Sequence, residues 1–236
     1  RLKKIAVLGI VCTIVFGDTA YAGEKYKPED AIDYAKKYWD EYNAAYPKYS
    51  SDCTNFVSQC VCAGGIEKKN VPGSKINVLN IGKTYKTKSY WGCKYYRNKI
   101  GNLTINEGWV GTSTWTVVDM ADGGDAYGFQ DYMMNVKKKE VSIFKCTDKN
   151  IEKIIKQAKE GDILQYKYND EKRFTHSYFI GSKRINAHLV GRPTDLFLYA
   201  HTSDRGGKAT KDTVRKLRAN RIFDDNVTLA LISMGD

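Results

Sequence analysis

The chain has 236 residues, 42% of them hydrophobic, and carries a formal net charge of +11 at pH 7. That length is enough for one domain with its own core. The charge favours an anionic partner, such as a wall polymer or a membrane surface. Nucleic acid is not the expected partner, because the chain has no arginine-rich block and no RNA-binding signature.

The first 22 residues have the pattern of a secretory signal peptide. A basic start, Arg1 to Lys4, precedes an apolar run from Ile5 to Phe16 and the sequence Ala20-Tyr21-Ala22. The run is short for a bilayer span, so an uncleaved anchor is the weaker interpretation. We therefore predict a signal peptide over residues 1–22 and a single secreted domain over residues 23–236. No membrane span is expected after cleavage.

The segment from Glu24 to Pro47 has the pattern of an amphipathic helix. Pro28 suits its first turn, and Pro47 would end it. Residues that share one predicted face are mostly small or aromatic: Ala31, Ala35, Tyr38, Trp39 and Tyr42.

A second, shorter helix is predicted to follow, with a cysteine in its first turn. Asp52 is a good N-cap residue, because its carboxylate can accept hydrogen bonds from the unpaired N–H groups of that turn. Apolar residues recur at helical spacing behind it, and the pair Gly64-Gly65 is a natural end. The predicted buried stripe consists of Phe56, Val57, Cys60 and Val61.

Cys53 has two interpretations. A helix N-terminus favours the thiolate through its dipole and free N–H groups, which makes the cysteine a nucleophile at neutral pH. Alternatively, Cys53 is one more small buried residue. Asn55, on the same helix, could assist the Cys53 N–H in an oxyanion hole.

Cys12 leaves with the predicted signal peptide, so five cysteines remain. An odd number in an exported chain indicates at least one free thiol. The other four can form two disulfides, although no pairing follows from the sequence. Zinc is not expected, because Cys60-x-Cys62 is too tight for the usual knuckle and no second ligand pair follows. The other cysteines are Cys53, Cys93 and Cys146.

The pattern changes along the rest of the chain. Residues 66–147 are hard to interpret, with helices indicated only near Gly111 to Trp115 and over Gly128 to Val136. An amphipathic helix begins at Asp148 and ends before Gly161. Alternating segments then predict strands. This order favours an α+β fold with an antiparallel sheet. The strands are Asp162–Tyr166, Phe174–Ile180, Leu196–His201 and Val227–Ser233, with a further candidate at Arg184–Val190.

A cysteine nucleophile needs a base and a group that orients the base. His176 shares an alternating strand face with Phe174 and Tyr178, so it is the best candidate for the base. His201 ends a later strand and is predicted to hydrogen-bond His176. Asp204 is the alternative for that orienting role. His188 has no partner motif and is predicted to lie on the surface.

These residues carry a resemblance to a known family. The stretch Asp52-Cys-Thr-Asn-Phe-Val-Ser-Gln-Cys60 with Gly64-Gly65 resembles the signature of the putative amidase domain family of secreted bacterial proteins. That family is similar to the NlpC/P60 branch of the papain-like cysteine hydrolases. Other segments agree with it in order along the chain: Ala31–Tyr46, Gly161-Asp162-Ile163, Thr175-His176-Ser177 and Tyr199–Arg205.

The resemblance implies a papain-like α+β fold, with the nucleophile helix packed on an antiparallel sheet. Cys53 then matches the nucleophile, His176 the base and His201 the third polar residue. In papain that third position is an asparagine, so His201 fits the NlpC/P60 arrangement better. No metal and no cofactor are implied.

We therefore expect a secreted cysteine amidase that acts on peptidoglycan peptides and is attracted to anionic wall polymers. Two alternatives remain open from the sequence. One is a secreted protease or toxin-like enzyme that acts on proteins, and the other is a non-catalytic wall-binding domain with the same fold.

Overall fold

The computed structural model describes residues 25–120, 126–191, 193–201 and 210–235. The predicted signal peptide, residues 1–22, lies outside the described residues. So does Asp204.

Short helices alternate with strands along the chain. The helices are α1 (Pro28–Tyr38), α2 (Cys53–Ala63), α3 (Ser113–Thr116), α4 (Phe129–Asn135), α5 (Asp148–Gln157) and α6 (Val214–Ala219). The strands are β1 (Thr84–Tyr85), β2 (Cys93–Ile100), β3 (Leu103–Thr112), β4 (Glu140–Lys145), β5 (Ile163–Tyr168), β6 (His176–Ile185), β7 (Thr194–Ala200), β8 (Thr210–Thr213) and β9 (Val227–Ser233).

The main sheet has six strands in the order β4-β9-β5-β6-β7-β8, and every neighbouring pair is antiparallel. A smaller sheet has the order β1-β3-β2. Helices and antiparallel sheets therefore combine in one mixed architecture. This confirms the predicted α+β class.

Helices cover both faces of the main sheet, because successive strand residues point to opposite sides. On β5, Ile163 packs with α1 and α2, whereas the next residue, Leu164, packs with α5 and α6. On β6, Phe179 packs with α1 and α2, whereas Tyr178 packs with α5 and α6. The strand that carries His176 is thus fixed from both sides, and α2 lies on one of its faces.

The helix α1 is shorter than predicted. Its first turn begins with Pro28 as expected, but it ends at Tyr38 instead of continuing to Pro47. Asn43 explains part of this difference. Its side-chain oxygen accepts a hydrogen bond from the Ala45 N–H, and its carbonyl accepts one from the Tyr46 N–H. Such local bonds to an asparagine favour a turn over a helix.

The hairpin β2–β3 was not predicted, although α3 and α4 lie close to the helices expected from the sequence. The Arg184–Val190 candidate is wrong as a separate strand, since β6 simply extends to Ile185 and a turn follows. None of the helices among the described residues has the length and apolar content needed to cross a bilayer.

Candidate active site

Cys53 is the first residue of α2, as the sequence predicted. Its side chain is buried in a small apolar cluster with Val118, Phe174 and Ala230. The helix ends at a glycine pair: Gly64 donates to the Cys60 carbonyl, and Gly65 follows with a φ of +98°, which favours glycine. The predicted stripe is confirmed, because Phe56, Val57, Cys60 and Val61 are all fully buried.

His176 is the first residue of β6 and is buried. Its ring centroid lies 4.5 Å from that of Tyr178 and 5.4 Å from that of Tyr166. The imidazole lies within interaction range of the Cys53 thiol, because both its charge and its hydrogen-bonding capacity act to lower the pKa of that thiol. The structure thus brings the predicted nucleophile and the predicted base into contact.

The electrostatics of this contact favour the Cys53 thiolate. Burial on its own raises the pKa of the Cys53 thiol, but the charge of His176 and its hydrogen bond oppose that effect. Hydrogen bonds from the Ser177 backbone and the Thr54 side chain also lower the pKa of the thiol. The net result is a Cys53 pKa below the ordinary value for cysteine.

Three other thiols have raised pKa values. Burial raises the pKa of Cys60 well above its ordinary value, and it raises the pKa of Cys93 and of Cys146 to about 11 each. Within the described part of the chain all five cysteines are free thiols, so no disulfide joins them. Cys53 is therefore distinguished from Cys60, Cys93 and Cys146 by its environment.

A chain of buried polar side chains leads to the Cys53 thiol. Gln165 Nε2 donates to Ser177 Oγ over 2.9 Å, Ser177 Oγ lies 3.4 Å from Thr54 Oγ1, and Thr54 Oγ1 lies 3.7 Å from Cys53 Sγ. Because Ser177 accepts from the amide, its own O–H is left to donate to Thr54. The Thr54 O–H is then left to donate to sulfur, and this direction stabilises a thiolate.

His201 lies elsewhere than predicted. Its Nδ1 is 2.6 Å from Asp52 Oδ2, and its Nε2 bonds the carbonyl of Tyr38. Both partner atoms are oxygens that accept hydrogen bonds. The ring also stacks on Phe56 at 4.1 Å between centroids. The expected hydrogen bond to His176 is therefore replaced by a buried pair with Asp52.

Asp52 does not cap α2 through its side chain, which corrects the N-cap prediction. Its Oδ1 instead accepts hydrogen bonds from the Tyr49 N–H and from Asn55 Nδ2, each over 2.9 Å, while Oδ2 faces His201. Asp52 is almost completely buried. It therefore ties the end of β7 to the start of the nucleophile helix.

The geometry does not support the oxyanion role predicted for Asn55. Its amide nitrogen already donates to the Pro47 carbonyl and to Asp52, each over 2.9 Å. Its oxygen accepts from Trp115 Nε1 over 2.7 Å. Both N–H bonds are used, so Asn55 holds the helix start against neighbouring segments.

The remaining site predictions concern His188, Asp204 and metals. His188 is exposed on a turn after β6, as predicted for a surface residue. Asp204 lies outside the described residues, so its orienting role stays a prediction. Among the residues that the structure describes, no group of three or more His, Cys, Asp or Glu side chains could hold a metal ion.

The chain matches a protein-family model described as "Putative amidase domain" over residues 25–222. The chain belongs to this family. It is also similar to "Uncharacterized protein YhbB" of Bacillus subtilis (strain 168), with 28% identity over 165 residues. That match covers 70% of this chain and 40% of the relative, so the chain spans about two fifths of the relative's length. None of the solved structures matches the chain.

Membership of the amidase family confirms the resemblance at the level of the family, and it supports hydrolysis of amide bonds as the general class of activity. The NlpC/P60 relationship and the papain-like fold stay predictions. The cysteine helix, both histidine motifs and most of the sheet lie within the matched residues.

Sequence reasoning missed three residues that lead to the Cys53 thiol: Thr54, Ser177 and Gln165. Two of them adjoin predicted catalytic residues, but nothing in the sequence indicated that they contact each other. The alternation of β5 could have identified Gln165, since it is a polar residue within the buried run Ile163 to Tyr166.

The series of hydrogen bonds from Gln165 through Ser177 and Thr54 to Cys53, called the donor chain below, predicts a change in thiol reactivity. Thr54→Val keeps the shape of the side chain but removes the O–H that faces sulfur. We expect alkylation of Cys53 at pH 7 to slow about fivefold, which corresponds to one hydrogen bond of about 1 kcal/mol. Ser58→Ala is the control, because Ser58 lies on the same helix and bonds the Trp115 carbonyl instead. Equal rates for both variants would contradict the donor chain.

The buried pair predicts a change in stability. His201→Ala removes the imidazole that faces Asp52 Oδ2, and breaking a buried pair of this kind typically costs about 3–5 kcal/mol. We expect a loss of that size in the free energy of unfolding from urea denaturation. His188→Ala removes an exposed histidine and should change that energy by less than about 0.5 kcal/mol. Similar values for the two variants would mean that the pair contributes little.

Proposed function

We propose that the chain is a secreted cysteine hydrolase that cleaves amide bonds in peptidoglycan peptides, with Cys53 as nucleophile and His176 as base. The main observation in support of this proposal is the environment of the Cys53 thiol. The Cys53 thiol has a lowered pKa beside His176, although Cys60 in the same helix has a raised one. Environments that perturb one titratable group selectively are typical of functional sites.

The reaction follows from this arrangement. His176 takes the thiol proton, and the Cys53 sulfur attacks the carbonyl carbon of the substrate amide. The oxyanion that forms lies at the start of α2, where the Cys53 N–H is the candidate donor. The C–N bond then breaks, and His176 gives the proton to the leaving amine. Water loses a proton to His176, attacks the thioester and releases the acid and the free thiol.

We assign separate roles to the two candidates for the third group. His201 is a positioning residue, because it bonds Asp52 directly before the nucleophile. Asp204 remains the candidate that orients His176. This assignment keeps the papain-like order of nucleophile helix, base strand and neighbouring strand that the resemblance implies. Asp204→Asn then lowers turnover without the loss of stability expected for His201→Ala.

The proposed location is outside the cell, at the wall. The pattern of residues 1–22 supports export, and the net charge of +11 supports attraction to anionic wall polymers. Association of the chain with isolated walls should weaken as salt rises, because counterions screen these contacts.

The experiment compares substrates and blocks the thiol. The purified chain is incubated with labelled peptidoglycan and, separately, with a labelled protein, and newly formed amino groups are counted. Release from peptidoglycan that iodoacetamide abolishes supports the proposal. The same treatment of a Cys62→Ser variant shows that the block is not at Cys62, which is only half-buried.

Other results separate the alternatives. Cleavage of the protein but not of peptidoglycan indicates a protease. Wall binding without release of amino groups on either substrate indicates a binding domain, and the hydrolase proposal then fails.

A further inference from the structure

The segment from residue 66 to residue 112, called the arm below, contains the small sheet β1-β3-β2 and the loops that precede it. It holds nine Lys and Arg residues against two Glu residues, a net charge of +7 out of +11 for the chain. A fifth of the residues thus carries most of the excess positive charge.

These basic side chains are open to solvent. Eight of the nine belong to exposed residues, and Lys88 is half-buried. Among the described residues, only Arg97 of the nine has an acidic partner, Glu107 on the neighbouring strand. None of the other eight has a described carboxylate within ion-pair distance, so the arm keeps a net positive charge.

The end of the arm is apolar. The hairpin turns through Gly101-Asn102, and the residues on either side, Ile100 and Leu103, are 73% and 66% exposed. Leu79 is 68% exposed on the adjoining loop, which is held to β3 by a hydrogen bond from Asn106 Nδ2 to the Val78 carbonyl. Two large aliphatic side chains thus flank the hairpin turn, and a third is exposed on the adjoining loop; exposed apolar patches mark interaction sites on protein surfaces.

The arm is also fixed to the candidate active site. A core of Val71, Ile76 and Val110 lies under its sheet. Strand β3 leads directly into α3, where the Trp115 carbonyl accepts a hydrogen bond from Ser58 of the nucleophile helix over 2.9 Å. The arm is thus held in a defined position relative to α2.

We propose that the arm is a membrane-binding element for an anionic lipid surface. Ile100, Leu103 and Leu79 enter the headgroup layer, and the surrounding lysines contact lipid phosphates. Apolar side chains next to basic ones are the combination that interfacial elements use. This inference goes beyond the proposed hydrolysis and does not depend on it.

The apolar end favours a bilayer over a soluble polyanion. A phosphate polymer gives lysines their counter-charge but offers nothing to an exposed isoleucine or leucine. A bilayer satisfies both groups, because apolar surface leaves water while the cations stay with the headgroups.

The test measures binding to vesicles made of equal parts phosphatidylglycerol and phosphatidylcholine, in about 0.1 M salt. Residues 23–236 are used, so that the apolar run Ile5 to Phe16 does not itself bind lipid. A charge variant combines Lys83→Gln, Lys86→Gln and Lys99→Gln. It should bind about 100-fold more weakly, at about 1 kcal/mol for each lysine near an anionic surface. A tip variant combines Ile100→Asn and Leu103→Asn and should bind at least about 10-fold more weakly.

Two control variants make equivalent changes away from the arm. Lys149→Gln, Lys153→Gln and Lys156→Gln on α5 match the charge variant, and Ile185→Asn matches a single tip change. Both should bind as the wild type does. The proposal is overturned if the wild type does not bind these vesicles, if the controls lose as much as the arm variants, or if the tip variant binds normally. The last result, with retention on a polyphosphate matrix, would identify the arm as a site for polyanions.

Discussion

Cys53→Ala is expected to lower amide hydrolysis by about 10⁴-fold or more, the size of effect seen when an enzyme loses its nucleophile. The change removes one sulfur atom from the cluster of Val118, Phe174 and Ala230. A truncation of that size costs only about 1 kcal/mol of stability. Loss of turnover with a nearly unchanged urea midpoint is therefore the expected result, measured as amine release at saturating substrate.

Cys60→Ala is the matched control for this prediction. Cys60 lies two turns further along α2 and is fully buried, and burial raises its pKa well above the ordinary thiol value. Its removal should lower stability but leave turnover within a fewfold of the wild type. If both variants are equally active, or equally inactive at equal stability, Cys53 is not the nucleophile.

His176→Ala is expected to slow hydrolysis by about 10³-fold, because a general base typically contributes 10²–10⁴ and the thiolate is lost as well. The sign of the pKa change follows from the two opposed effects on Cys53. Burial raises the pKa of the thiol and His176 lowers it, so removing His176 leaves burial less opposed. The pKa of Cys53 should then rise, and alkylation should require higher pH.

The measurement for His176 is the pH dependence of Cys53 alkylation in the wild type and the variant. His188→Ala serves as the control, since His188 is exposed on a turn. An unchanged profile in His176→Ala would show that another group stabilises the thiolate. Turnover that persists in the same variant would exclude His176 as the base.

Strong local periodicity explains which parts of the fold were predictable. The buried stripe of α2, the helix that begins at Asp148 and the strand Val227–Ser233 each bury one face or both faces in the core, so their patterns are visible in the sequence. The hairpin β2–β3 has no such pattern. Several of its large apolar residues, including Ile100 and Leu103, are exposed, so apolar residues do not mark a core face there.

The candidate site was predictable in its residue types but not in all its contacts. Cys53 and His176 were predicted from their positions at a helix start and on an inward strand face. The pairing of His201 with Asp52, 149 residues apart, depends on how β7 and α2 meet in the folded chain. A helix N-terminus also indicated an N-cap role for Asp52, but the buried histidine is the stronger partner for its carboxylate.

The most direct measurement is the rate at which iodoacetamide modifies each cysteine at pH 7, resolved by peptide mass spectrometry. The central claim is that His176 holds Cys53 as a reactive thiolate. It predicts that Cys53 is modified much faster than Cys60, Cys93 and Cys146 and that His176→Ala abolishes the difference. Modification of Cys53 no faster than that of Cys93, whose pKa is raised to about 11, would contradict the claim.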